Sequence, residues 1–300
     1  AGTFDVDIDI DSIEGLAGPQ ELNVEASVTD INRQTVSGNT SVLVHPAAYY
    51  IGLRRPGYVV QAGKELTTGL VAIAPDGSTV DGRKIKVEVQ RRIWRSVRKR
   101  AAGGSYSWVT EREDKTLHRC EVITRGDKGN CKLSLTKPGY YTIRATSTDD
   151  KNRKTQTAVS MYAYGGGYSW WGNNDDERIS VIPDKQTYSV GDTARLLVKS
   201  PFRSAQALVT VERNGILDQK VITLEGSATT LEVPVTSQML PNCFVSVVLV
   251  RGRMHDAPDD GTTIDPGKPA YKMGYATLNV DRSSKVLGVT IEPDKQTYKP

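Results

Sequence analysis

Apolar and polar residues alternate along much of this chain, with the two-residue period of half-buried strands. Phe4, Val6, Ile8 and Ile10 fall on one face of a stretch whose other face is Asp5, Asp7, Asp9 and Asp11. Ile85-Lys-Val-Glu-Val-Gln90 and the run from Phe244 to Val250 read the same way. Asp76-Gly77, Asp81-Gly82, Gly103-Gly104, Pro138-Gly139 and Asn214-Gly215 supply turns between such runs. No long stretch carries apolar residues at helical spacing. Many short strands with regular turns predict an all-β chain of tandem antiparallel β-sandwich domains of the fibronectin or immunoglobulin-like kind.

The chain also repeats itself. Pro183-Asp-Lys-Gln-Thr-Tyr188 recurs as Pro293-Asp-Lys-Gln-Thr-Tyr298, 110 residues on. Gly57 to Gly63 is a weaker third copy, with an aromatic residue, a short turn and a glycine before a strand. A second element runs from Leu22 to Asp30 and then Asn32-Arg33; it matches Tyr141 to Asp149 and then Asn152-Arg153, at a spacing of 119, or 120 with one insertion. A unit of roughly 110–120 residues is the size of one sandwich. The expected divisions are residues 1–48, the closing part of one domain; 49–163, a complete domain; 164–178, a linker rich in glycine and aromatic residues; 179–284, a second complete domain; and 288–300, the first strand of another. The chain starts at Ala1 and ends at Lys299-Pro300, just past the second hexapeptide copy and inside what looks like a domain's opening motif, so it reads as a segment of a longer protein.

Composition narrows the function. The chain is 38% hydrophobic and 25% charged, with a mean hydropathy of −0.41; its longest apolar run, Phe244 to Val250, is strand-sized. A net charge of +4 gives no reason to expect nucleic acid as a partner. No Gly-x-Ser-x-Gly, His-Glu-x-x-His or phosphate-loop pattern is present, and the histidines are only His45, His118 and His255. The expectation is therefore no enzyme, no catalytic residue, no cofactor and no metal.

Several stretches resemble the bacterial alpha-2-macroglobulins. Ser27 to Gly38, Val42-Leu-Val-His-Pro46 and Tyr50-Ile-Gly52 are similar to a closing hairpin and domain joint of that family. Asp175-Asp-Glu-Arg-Ile179, Pro183-Asp-Lys, Gly191 to Val198 and Ser200-Pro-Phe202 are similar to a domain opening, and Val209 to Arg213, Pro241-Asn242, Val247 to Arg253 and Gly274-Tyr275 continue it. The resemblance implies macroglobulin-type sandwiches acting as structural scaffold domains of a broad-spectrum protease inhibitor. Such an inhibitor traps proteases after one of them cuts an exposed bait segment, and an internal thioester then reacts with the attacker. It implies target proteases as partners through the longer protein, contacts with neighbouring macroglobulin domains, and a periplasmic or cell-envelope location, with room for membrane association or a lipid anchor outside this chain. The thioester needs a Cys-x-x-Gln motif, which the contexts of Cys120, Cys131 and Cys243 all lack. Family order places the bait-bearing domain from Val289 onward, so neither thioester nor bait is expected here. The competing class is an adhesin or envelope stalk of immunoglobulin-like repeats.

Cys120 and Cys131 flank a glycine-bearing turn and are candidates for a disulfide across a hairpin; the alternative is two free or separately buried thiols, and a metal site with His118 lacks a fourth ligand. Cys243 reads as core. Arg91 to Arg100 offers either a surface for an anionic partner or a basic strand face answered by Glu111, Glu113 and Asp114, with Trp94, Tyr106 and Trp108 packing on it. Asp5, Asp7, Asp9 and Asp11 would spread along a strand rather than converge on calcium. The stretch from Gly252 to Ala270, beside Arg251 and containing Arg253 and Lys268, is either a bait-like segment or a long hairpin loop contacting a neighbouring domain.

Overall fold

A computed structural model describes residues 3, 5–7, 18–100, 106–126, 129–165, 169, 171, 177–256, 267–295 and 297, with 96–100 and 106–110 described by backbone alone. Apart from two short 3-10 turns, all regular structure in it is β.

The first element is a hairpin of β1 (Gln20–Thr29) and β2 (Thr35–Val44), paired antiparallel along ten residues. Leu22, Val24, Ala26 and Val28 share a face with Val36 and Val42, but no second sheet among the described residues covers it, and Val28 and Val36 are 73% and 75% exposed.

The first sandwich contains β3 (Tyr50–Leu53), β4 (Val59–Gln61), β5 (Glu65–Ile73), β6 (Lys84–Arg100), β7 (Tyr106–Ile123), β8 (Gly129–Ser134), β9 (Gly139–Thr148) and β10 (Lys154–Tyr164). A five-stranded sheet in the order β4-β10-β9-β6-β7 faces a three-stranded sheet β3-β5-β8. Inward residues of the two sheets, among them Leu70, Ile85, Val87, Val89, Leu133, Tyr141, Ile143 and Met161, form one core. The β6–β7 pair outruns its sheet. β9 pairs with β6 only from Lys86 to Arg92, whereas β7 accompanies it to Arg100, so 93–100 and 106–113 extend as a two-stranded arm.

The second sandwich contains β11 (Val181–Pro183), β12 (Thr193–Lys199), β13 (Ser204–Glu212), β14 (Ile216–Glu225), β15 (Ala228–Pro234), β16 (Asn242–Arg251) and β17 (Ala270–Asn279). Sheets β11-β12-β15 and β14-β13-β16-β17 enclose a core that includes Leu196, Val209, Leu231, Val245, Val247 and Leu278. The approach to this domain is itself paired: Met273 donates its amide to the Glu177 carbonyl and accepts from the Ile179 amide. Gly274 permits that close approach, since a Cβ there would strike the Ile179 carbonyl.

Two predicted strands do not form among the described residues. Asp5, Val6 and Asp7 lie in no strand, with Val6 65% exposed; the rest of that stretch, including Asp9 and Asp11, lies outside the described residues. Residues 288–295 likewise form no strand and leave Val289 and Ile291 exposed. Alternation suits a residue to a half-buried strand, but a strand also needs a neighbour to complete its ladder.

Candidate functional site

The two sandwiches meet at a joint made by the outer faces of their strands. In β12, Ala194, Leu196 and Val198 point into the domain's own core. Leu197 points the opposite way, yet is 0% exposed, because it packs with Val59 and Ala228 and with Tyr58, Tyr162, Tyr164 and Ile182. Trp171, from the connecting segment, inserts into the same cluster. Its indole N–H donates to the Ser227 carbonyl at 2.5 Å, and the Ser169 amide donates to the Ser227 hydroxyl at 2.6 Å. Trp171 thus belongs to the buried joint; the other aromatic residues in this part of the linker, Tyr168 and Trp170, lie outside the described residues.

Aromatic rings continue the joint across the first sandwich. Tyr162 lies 6.1 Å from Trp171 and 5.1 Å from Tyr140, and Trp94 lies 6.5 Å from Trp171 and 6.0 Å from Tyr140. Lys199 reaches over from the second sandwich, its ammonium 5.3 Å from the Tyr162 ring and 5.1 Å from the Trp171 ring. Burial pushes the Lys199 ammonium below the ordinary lysine range. On the other side Arg92 sits 5.1 Å over Tyr140 and makes a two-pronged pair with Asp114 at 2.8 and 3.0 Å. Cation–π contacts of this kind gain strength as water is excluded.

The two repeated sequence elements are fasteners within the domains. In the Pro183–Tyr188 hexapeptide, Tyr188 is buried and donates its hydroxyl to Asp184 at 2.7 Å, while accepting from the Lys185 amide at 3.1 Å. Asp184 also accepts from the Arg195 amide, and Lys185 pairs with Asp192 at 2.8 Å. Burial, and donation to Asp184, raise the Tyr188 pKa. The backbone of Tyr188 joins Asn279 and Asp281, tying the opening loop to the end of β17. The Tyr298 copy lies outside the described residues.

The second element is a carboxylate-capped turn. Asp30 accepts from the amides of Asn32 and Gln34, and Asp149 accepts from those of Lys151 and Arg153. Arg33 and Asn152 take the left-handed conformation at φ 63° and 61°. The equivalent residues are therefore Arg33 with Asn152 and Gln34 with Arg153, a constant spacing of 119. The matching Asn-Arg pairs are offset by one and no insertion is present. Asp149 does more than Asp30. It is buried, accepts from the Ala48 amide at 3.0 Å, and pairs with Arg153 at 2.8 Å, joining the domain's entry to its closing hairpin. Burial alone would raise the Asp149 pKa, but the donors from Ala48, Arg153 and Lys151 prevail and hold it at about 2. Tyr49 completes this corner, bonding to the Ser147 hydroxyl at 2.6 Å.

The remaining candidate residues are scattered. The sulfurs of Cys120 and Cys131 are bonded, with Cα atoms 6.5 Å apart, and link β7 of one sheet to β8 of the other. Cys243 is fully buried in β16. His45 shares a hydrogen bond with Tyr50 at 2.8 Å, His118 lies beside the cysteine pair, and His255 follows β16. In the basic run, Arg92 pairs with Asp114 and Arg95 with Glu113, at 2.9 Å for the latter. The side chains of Arg98, Lys99, Arg100, Tyr106 and Trp108 lie outside the described residues. The connection after β16 is closed at its base by Met254 donating to the Gly267 carbonyl and Arg251 to the Lys268 carbonyl; 257–266 lie outside the described residues.

Sequence reasoning did not single out Leu197, Lys199, Tyr162 or Ser227. The apolar run Leu196-Leu197-Val198 was the available signal, because it breaks the alternation that a strand with one wet face would keep.

Comparison with known proteins gives matches in sequence order. Residues 52–168 match the model of bacterial macroglobulin domain 6, and residues 179–300 match that of the alpha-2-macroglobulin bait region domain. The second match starts at residue 179, one sandwich earlier than the Val289 at which the family resemblance placed the bait-bearing domain. An alpha-2-macroglobulin homolog of Nostoc is 27% identical over 94% of this chain and 14% of its own length. A homolog of Deinococcus radiodurans is 25% identical over 78% of this chain and 22% of its own length. The chain thus spans less than a quarter of the length of either relative. The native conformation of E. coli alpha-2-macroglobulin, solved by electron cryo-microscopy, aligns with 87% of this chain and 17% of its own at 18% identity and a TM-score of 0.37. Two successive domain models, covering most of the chain and falling one on each sandwich, show that the chain belongs to the bacterial alpha-2-macroglobulin family.

Proposed function

We propose that this chain supplies two consecutive scaffold domains of a broad-spectrum protease trap, and that it acts through a longer protein. The observation that carries the reading is the ordered pair of family matches on two sandwiches that share a buried joint. A trap that springs after one peptide bond is cut must pass a local change on to distant domains. Two sandwiches tied by Leu197, Trp171 and Lys199 would move as one piece, whereas sandwiches on a bare glycine linker would not. The fasteners at Tyr188 and Asp149 serve the same end, since each anchors the entry of a domain to its last hairpin.

In this reading the partners are target proteases and the neighbouring macroglobulin domains. The location is the periplasm or cell envelope, for which the bonded cysteine pair is suited. The repeat-stalk alternative has less support, because the two sandwiches match two different macroglobulin models rather than copies of one repeat. The test is size-exclusion chromatography of the intact longer protein mixed with a serine protease. The protease should co-elute with the trap only in samples where the trap has been cut. A protease that cuts the protein and still elutes alone would refute the proposal.

A further inference from the structure

β7 carries a bulge at Leu117, because Val89 pairs with His118 while the next residue of β6, Gln90, pairs with Thr116. A bulge re-aims the side chains that follow it. From there to Thr124 the strand alternates strictly: His118, Cys120, Val122 and Thr124 turn inward, while Leu117, Arg119, Glu121 and Ile123 are exposed. Cys131 faces them from β8 of the opposite sheet and is 2% exposed. The donor atoms of His118, Cys120 and Cys131 all lie within 4.8 Å of one another. Val87 and Val89 stand opposite Cys120 and His118 on β6, and the buried Thr68 stands opposite Cys131 on β5, so the inner wall is apolar but for one hydroxyl. His118 and Cys120 are only half-buried, which leaves a way in from solvent.

We propose that His118, Cys120 and Cys131 form a redox-gated site for a thiophilic cation, Cu(I) or Zn(II), available when the Cys120–Cys131 bond is reduced. Two thiolates and an imidazole are the soft and borderline donors these ions prefer, and three donors suffice for trigonal Cu(I) or for Zn(II) with one water. An external dithiol breaks the S–S bond, gives two electrons and two protons to the sulfurs, and leaves as its own disulfide. The cation then binds both sulfurs and the imidazole, and two thiol protons pass to solvent. The bonded form has no thiolate to offer, so oxidation closes the site. Because β7 and β8 belong to different sheets, the bound cation would restore the link between sheets that reduction removes.

The test uses the 300-residue chain, oxidised or reduced with dithiothreitol and desalted without oxygen. Each form is titrated with Cu(I) and, separately, with Zn(II) against a chromophoric chelator. The reduced chain should take up one equivalent of at least one of the two ions and the oxidised chain none of either. His118→Ala, at a half-exposed position, should weaken binding roughly tenfold or more. Cys131→Ser should abolish binding and Cys243→Ala should preserve it. The melting temperature should fall on reduction and recover with one equivalent of cation in the native sequence, but not in Cys131→Ser. Far-UV circular dichroism confirms that each variant is folded. A reduced, folded chain that binds neither ion, or binding unchanged by His118→Ala or Cys131→Ser, would overturn the proposal.

Discussion

Replacing Asp149 with asparagine separates the charge of this carboxylate from its shape. Its Oδ1 accepts from the amides of Lys151 and Arg153, and its Oδ2 from the Ala48 amide and the Arg153 guanidinium. An asparagine keeps one acceptor oxygen for the turn but sets an NH2 group against the other donors. The carboxyl is held at about 2 instead of its ordinary 3.8. Each tenfold change in proton affinity is worth about 1.4 kcal/mol, so the ionised form contributes roughly 2.5 kcal/mol at neutral pH. The facing donors left behind raise the expected cost of Asp149→Asn to about 3 kcal/mol. The pH dependence has a definite sign: a carboxyl whose folded pKa is depressed stabilises above its unfolded value and loses that contribution as pH falls through the folded one. The deficit of the variant should hold steady from pH 7 to 5, shrink between about 4 and 2, and nearly vanish below that. Urea unfolding followed by circular dichroism at each pH measures it. Asp30→Asn is the control: Asp30 caps an exposed turn with two amide bonds and no guanidinium partner among the described residues, so it should cost about 0.5 kcal/mol. A deficit under about 1 kcal/mol at pH 7, or one unchanged at pH 2, would refute this account of the clamp.

Leu197→Ala should cost about 2–3 kcal/mol and split the melting of the two sandwiches in scanning calorimetry, whereas a change at an exposed position of β14 such as Val221→Ala should leave the trace intact. Trp171→Phe keeps an aromatic ring but loses the bond to the Ser227 carbonyl; it should cost about 1 kcal/mol and loosen the same coupling, read as faster exchange of the Ser200 amide, which donates to that carbonyl. Tyr188→Phe removes a donor to Asp184 and an acceptor for Lys185; about 1–2 kcal/mol should be lost from the second sandwich alone. Replacing both Cys120 and Cys131 with alanine opens a loop with a sequence separation of 11 and should cost about 3 kcal/mol of the first sandwich by loop entropy, measured by urea unfolding.

Strand identity was legible in the sequence because alternation and turn residues are local. The hexapeptide at Pro183 and the aspartate turns were visible as repeats, but their roles were not. Nothing local says that Tyr188 folds back onto Asp184, or that Asp149 reaches Ala48 across the domain. The one-residue error in aligning the turns came from matching letters, Asn-Arg with Asn-Arg, where the fold matches backbone: the left-handed residue is Arg33 in one turn and Asn152 in the other. At Val6 and Val289 the pattern of a strand was present without a ladder to join. The joint was hardest to see. Periodicity reports which face of β12 points away from its own core, but not that a second domain covers that face; only the unbroken Leu196-Leu197-Val198 run hinted at it.

The central claim, that these domains serve a protease trap, is tested most directly by substrate size. The intact longer protein is incubated with a protease, which is then assayed on a large protein substrate and on a short peptide. The account predicts that cleavage of the large substrate falls steeply while cleavage of the peptide persists, and that Leu197→Asp at the joint weakens this protection. Full protease activity on the large substrate after the longer protein has been cut would contradict it.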